Sequence, residues 1–116
     1  MNNLLLLANR CTDATQVQLE YRTLPPEQII SGAPQVGTAE LGQLGETSIG
    51  VWEMSPSVTT DVEVDEFFIV LSGRATVAFA DGTPDLYLQP GTVGHLAAGT
   101  ATTWSVTETL RKIYIA

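Results

Sequence analysis

The stretch Glu66-Phe67-Phe68-Ile69-Val70-Leu71-Ser72-Gly73-Arg74 sets one carboxylate against five consecutive apolar side chains and closes on a Ser-Gly break. A short continuous apolar run bounded by a turn signal suits a strand buried on both faces. The chain beyond Arg74 has the same character. Ala75 to Ala80 is a second apolar run, and Asp81-Gly82 after it is a hairpin signal. Asp85 to Gln89 alternates through Leu86 and Leu88, and Pro90-Gly91 is a turn. Thr92 to Ala97, Ala101 to Val106 and Leu110 to Ile115 complete the C-terminal part as three further strands. Upstream, Thr47 to Met54 alternates as well. Eight or nine short strands at close spacing, with no amphipathic helix, read as an all-β sandwich or barrel.

The first 45 residues read differently. Pro25, Pro26 and Pro34, with Gly32, Gly37, Gly42 and Gly45, punctuate a polar segment and break helices and long strands alike. Val17 to Leu24 alternates and is a short strand candidate; Pro26 to Ile30 suits one helical turn, ended by Gly32. The expected organisation is one domain, with an irregular N-terminal arm over 1–45 packed on a barrel formed by 46–116.

Composition removes several classes of function. The chain of 116 residues carries 13 Asp+Glu against 5 Lys+Arg, a net charge of -8. Such a surface repels polyanions, so neither nucleic acid nor an anionic membrane is an expected partner. One cysteine, Cys11, makes neither an internal disulfide nor a thiolate zinc site. It reads as a buried or idle thiol rather than a reactive one, since only Arg10 is a nearby cation. One histidine, His95, excludes any site needing two from one chain. The apolar run 4–8 is too short for a signal core or a membrane span. A soluble, cytoplasmic protein is expected.

Two turns carry a family resemblance. Glu66 with Gly73 on one side, and Pro90-Gly91, Ala97-Ala98-Gly99, Thr102 and Trp104 on the other, resemble the two motifs of the cupin superfamily. Val51-Trp52-Glu53-Met54-Ser55-Pro56 before the first motif, and 103–114 at the C-terminus, resemble the small cupins related to ureidoglycine aminohydrolase and the ethanolamine-utilisation cupin. The resemblance covers 46–116. It implies a double-stranded β-helix, a jelly-roll barrel of two antiparallel sheets, and a homodimer. Metal-binding cupins hold Mn, Fe, Ni or Zn with histidines and a glutamate inside the barrel. Carried over by counting, the glutamate place is Glu66. The first two histidine places fall on Thr60 and Val62, or on Thr59 and Asp61 with the other permitted spacing. The third falls on Thr102. Three of four ligand places thus hold no histidine. Thr92 and Ala97 stand where the second motif has aspartate and proline, and Pro56 lies too close to Glu66 for a full-length motif loop. No cofactor is expected, and a weakly held divalent ion on His95, Glu66 and Asp61 is not favoured.

The candidate catalytic residues are Glu66 and His95. Glu66 beside a buried strand is either a desolvated cavity acid or base, or a carboxylate solvated or paired with Arg74 or Arg111. His95 is the natural proton-transfer residue if its strand face looks inward. The plainer reading is a half-buried histidine bonded to backbone. Trp52, Thr60, Val62, Thr102 and Trp104 are the candidate cavity lining, although aromatics in small barrels are most often core. Glu53, Glu108, Arg111 and Lys112 are expected to form ion pairs at a sheet edge or subunit contact. Lys112, the only lysine, raises a Schiff-base role that no motif supports. The cluster Asp61, Glu63, Asp65 and Glu66 reads as a solvated strand face, or at most a weak cation site. The leading function is a small-molecule-binding cupin without the histidine-held metal. Two alternatives stand beside it: an enzyme acting on a small ureido or amino metabolite, and a dimeric interaction module with a filled barrel.

Overall fold

The computed structural model describes residues 5–116; the beginning of the apolar run 4–8 lies outside them. Among the described residues nine strands occur, in the order β1 (Glu20–Thr23), β2 (Ile29–Gly32), β3 (Gln35–Leu44), β4 (Thr47–Met54), β5 (Ser57–Val62), β6 (Glu66–Phe79), β7 (Leu86–Leu88), β8 (Val93–Leu96) and β9 (Ala101–Ile115). A single 3-10 turn at Pro26–Gln28 separates β1 from β2. No helix among the described residues is long and apolar enough to cross a membrane.

Two long strands organise the barrel. β6 and β9 run antiparallel along their length, from the Phe67–Ile115 pair to the Phe79–Thr102 pair. The C-terminal half of β9 lies between β4 and the first half of β6. β3 and β1 extend that sheet on one side, and β8 on the other. The N-terminal half of β9 lies between β5 and the second half of β6, extended by β2 and β7. Both sheets therefore share β6 and β9, which is a jelly-roll barrel of two antiparallel sheets. Ala101 to Ile115 is one bent strand and not the two that the sequence suggests.

The bend explains a second difference. Ser72-Gly73 reads as a strand break, yet β6 runs through it with register shifts between Val70 and Ala75. These are β-bulges, which turn a strand without ending its pairing. Gly73 adopts φ +93°. A Cβ placed there would collide with the backbone of Thr109 and Leu110 on the facing strand. The apolar run also differs from its expected two-sided burial. Phe68 and Val70 are buried in the core, whereas Phe67 is half exposed on the outer wall, because this part of β6 has a core on one side only.

Residues 20–44 are not an irregular arm. They supply β1, β2 and β3, and β3 pairs with β4 through a hairpin that turns at Gly45-Glu46. The expected boundary between residues 45 and 46 falls inside that hairpin. Two of the glycines behind the irregular-arm reading mark a turn (Gly45, φ +62°) and a register shift between Glu40 and Gly42. Val36 of β3 joins the core with Met54, Phe68, Val77, Leu96 and Leu110. The irregular segment before β1 is tied to the barrel by Arg111, whose Nη1 donates to the carbonyls of Ala14 (2.9 Å) and Val17 (3.2 Å).

Gly73→Ala should cost more than twice what Gly82→Ala costs. Gly82 has a similar φ of +89° but open space around it, so it carries only the left-handed penalty of about 1 kcal/mol. Chemical denaturation of the two variants checks this; equal losses would mean that the β6–β9 crossing tolerates a methyl group.

Candidate functional site

Strand alternation decides which side chains enter the barrel. On β9, Thr102, Trp104 and Val106 face inward before the bend, and Leu110, Lys112 and Tyr114 after it. On β5 the inner face carries Ser57, Thr59 and Asp61, opposite Val106, Trp104 and Thr102. Of these, Thr59, Asp61, Trp104, Lys112 and Tyr114 line a cavity of about 190 Å³ that opens to the surface. Its wall combines two cations, Arg22 and Lys112, with three carboxylates, Asp61, Glu63 and Glu66, and the indoles of Trp52 and Trp104.

Lys112 is the central element. Its ammonium lies 2.7 Å from Glu66 Oε2, with the two side chains only 5% and 11% exposed. The same Nζ sits 4.6, 4.7 and 4.8 Å from the ring centroids of Trp52, Phe68 and Trp104. A carboxylate and three electron-rich rings thus replace the water shell that burial removes. Glu63 holds the next layer. It is buried and accepts hydrogen bonds from Thr102 Oγ1 (2.6 Å) and Trp104 Nε1 (2.9 Å). The second of these fixes the indole that flanks the ammonium. Asp61 stands at the rim, where burial raises its carboxyl above the ordinary 3.8 and the neighbouring Glu63 adds to the rise.

Glu66, Trp52 and Trp104 therefore converge, the two indoles 5.8 Å apart at 51°. Thr60 contributes to the wall. Thr102 is buried, but its hydroxyl is spent on Glu63. Val62 does not enter: it is 65% exposed, since the inner face of β5 belongs to Thr59 and Asp61. His95 does not converge with Glu66 either. In β8 it is Leu96 that is buried, so His95 points outward and stacks on Phe67, centroids 4.2 Å apart and planes 2° apart. Alternation placed His95 with Val93 and Ala97, but only pairing with β6 says which face looks in.

The acidic cluster is not one solvated face. Glu63 is buried, Glu66 is paired inside the barrel, and Asp65 Oδ1 accepts the Ala98 N–H at 2.9 Å. Lys112 is no edge residue. The outer face it might have shared carries Arg111, which pairs with Glu53 at 2.9 Å; Tyr21 donates to the same carboxylate. The signal for Lys112 was its alternation with Leu110 and Tyr114. Ile113 and Ile115 masked it by making the opposite face look like the core.

The EutQ-like cupin domain matches residues 41–114. The chain belongs to the EutQ-like cupin family. Among solved structures this cupin is similar to a protein of unknown function from Rhizobium leguminosarum, 28% identical over 69% of this chain and 78% of the other, with a TM-score of 0.62. It is similar to a protein of unknown function from Pseudomonas syringae, 24% identical over 86% of this chain and 44% of the other, with a TM-score of 0.76. The cupin thus matches less than half of that relative's length. A putative ethanolamine utilization protein Q from Salmonella typhimurium is 14% identical over 85% of this chain and 94% of the other, with a TM-score of 0.62. At such identities the last two likenesses show the fold alone. No curated protein matches the sequence.

The donors in this cupin's cavity do not fit a resident transition ion. Among the described residues no three His, Cys, Asp or Glu side chains converge on one point. His95 is outside the barrel and Cys11 is exposed. The Glu66 carboxylate already holds an ammonium, whose charge repels a dication.

The charged groups give two expected outcomes. Lys112→Met alone leaves Glu66 buried without a partner and should cost about 3–5 kcal/mol; Lys112→Met with Glu66→Leu should recover most of that loss. Urea denaturation of both checks it, and equal losses would mean that the pair itself does not govern stability. For Asp61 the sign comes from its raised pKa: the ionised form is penalised in the folded state, and the penalty disappears as pH falls through the carboxyl's titration. Asp61→Asn should therefore melt above the wild type at about pH 7, with the advantage shrinking as the pH falls and lost only below the unfolded carboxyl's range, by about pH 3. An Asn advantage that persists unchanged at the lower pH would refute this assignment.

Proposed function

We propose that this cupin binds a small polar molecule in its barrel without a transition metal, and that the Lys112–Glu66 pair and the two indoles form the binding surface. The observation that carries the reading is a paired, nearly buried ammonium and carboxylate opening on a cavity. Buried charge is costly to keep in place of well-packed apolar residues. Its retention beside a cavity supports a role toward a ligand. Three carboxylates against two cations disfavour a dianion and suit a neutral polar compound.

The alternatives fare less well. An acid–base pair of Glu66 and His95 is not assembled, because His95 lies on the outer wall. A filled barrel is at odds with the charged cavity. A homodimer is part of the proposal, supported by Phe67 and Val93, which leave apolar surface on the outer wall of β6 and β8. So is a cytoplasmic setting, supported by the exposed free thiol of Cys11, which suits a reducing compartment.

Trp52 and Trp104 are the only tryptophans of the chain and both line the cavity. Tryptophan fluorescence, excited beyond the absorption of the three tyrosines, therefore reads this site. Titration with ureido compounds, amino acids, sugars and short hydroxy and oxo compounds should give a saturable change for at least one of these classes. The Lys112→Met, Glu66→Leu double variant should lose that change. Elemental analysis should find transition metal far below one equivalent per chain; one equivalent, or binding that survives the double variant intact, would overturn the reading.

A further inference from the structure

We propose that Lys112 captures a small aldehyde or ketone in this cavity as a protonated Schiff base, with Glu66 carrying the proton. This step rests on the proposed binding site and adds the ligand's chemical class and the reacting atom.

Four observations lead to it. Lys112 is the only lysine in the chain, and its side chain lies in the wall of the cavity. An amine reacts with a carbonyl only after giving up a proton, and Glu66 Oε2 stands 2.7 Å from that nitrogen to receive it. The ring centroids of Trp52, Phe68 and Trp104 lie 4.6, 4.7 and 4.8 Å from the nitrogen. They attract a cation whether it is an ammonium or an iminium. Charge on this nitrogen is the same before and after the reaction, so one preorganised surrounding serves reactant and product. Finally, about 190 Å³ is well below the size of a drug-like pocket. It suits a compound of few heavy atoms, whose hydroxyl groups would meet Thr59 and Asp61 on the facing wall.

The step balances without a redox partner. Glu66 takes one proton from the ammonium. The freed lone pair of Nζ attacks the carbonyl carbon, and the C=O π pair moves to oxygen, which takes a second proton from nitrogen to give a carbinolamine. Protonated Glu66 returns its proton to that hydroxyl, the C–O bond breaks, and water leaves. The iminium that remains is paired with the Glu66 carboxylate. The net change is that an ammonium and a carbonyl become an iminium and one water.

Reductive trapping tests this. The folded protein is incubated with glycolaldehyde or hydroxyacetone and sodium cyanoborohydride, which reduces an iminium to a stable secondary amine; peptide mass mapping then locates the adduct. The expected result is one adduct per chain on Lys112, formed about tenfold or more faster than on the same lysine in the unfolded chain. Glu66→Gln should slow it by about a hundredfold while circular dichroism shows an intact barrel. Lys112→Arg should keep the barrel and give none. Labelling of the amino terminus with Lys112 untouched overturns the proposal, and so does labelling of Lys112 no faster than in the unfolded chain. Fluorescence titration in the same samples separates the two claims. A saturable tryptophan response to any compound of the screen, without an adduct, removes the Schiff base and leaves the binding site. No response and no adduct removes both.

Discussion

The ammonium of Lys112 inside the barrel is the constraint around which the interior is arranged. An isolated buried cation would cost several kcal/mol or more. Here the cost is met by one carboxylate at 2.7 Å and three ring faces. Those partners come from three strands: Glu66 begins β6 with Phe68 two residues on, Trp52 lies on β4 and Trp104 lies on β9. The indole of Trp104 is in turn oriented by Glu63, which leaves β5 and draws Thr102 to the same oxygen. The polar interior is therefore one connected arrangement, and loss of a single member leaves another uncompensated.

That arrangement depends on the bend shared by β6 and β9. Lys112 and Trp104 lie on one strand, eight residues apart (112 − 104) on either side of the bend, and a straight strand would hold them far apart along its axis. The bulges near Gly73 fold the two halves of the β6–β9 ribbon into different sheets. Inward-facing residues of both halves then meet across the barrel. The glycine is required there for two reasons, its positive φ and the close approach of the Thr109 backbone. Alternation along the paired strands β6 and β8 puts Phe67, Val93 and His95 on the outer wall, where a stacked imidazole takes no part in the cavity.

The barrel was legible because its signals are local. Alternation and turn chemistry at Thr47–Met54, Asp81-Gly82 and Pro90-Gly91 depend on near neighbours, and the strands lie close to where those residues put them. Residues 20–44 were obscured because their glycines and prolines mark turns and a bulge within paired strands, and composition alone does not distinguish these from a loose arm. Of the site, Glu66, Trp52 and Trp104 could be found from family position. Lys112, Glu63 and Asp61 could not be sorted from the surface charges around them, because a charged residue in an alternating pattern looks outward until its partner is known.

The sequence by itself determined an all-β chain with cupin-like turns, one histidine and one lysine. Those are facts of composition and short-range order. Only the tertiary structure decided which face of each strand became the inside. That choice rests on pairings between residues distant in the chain, such as Glu66 with Lys112, 46 positions apart, and Phe67 with Ile115. A strand's two faces differ by one residue of register, and long-range packing selects between them. It turned His95 out to solvent and brought the only lysine in.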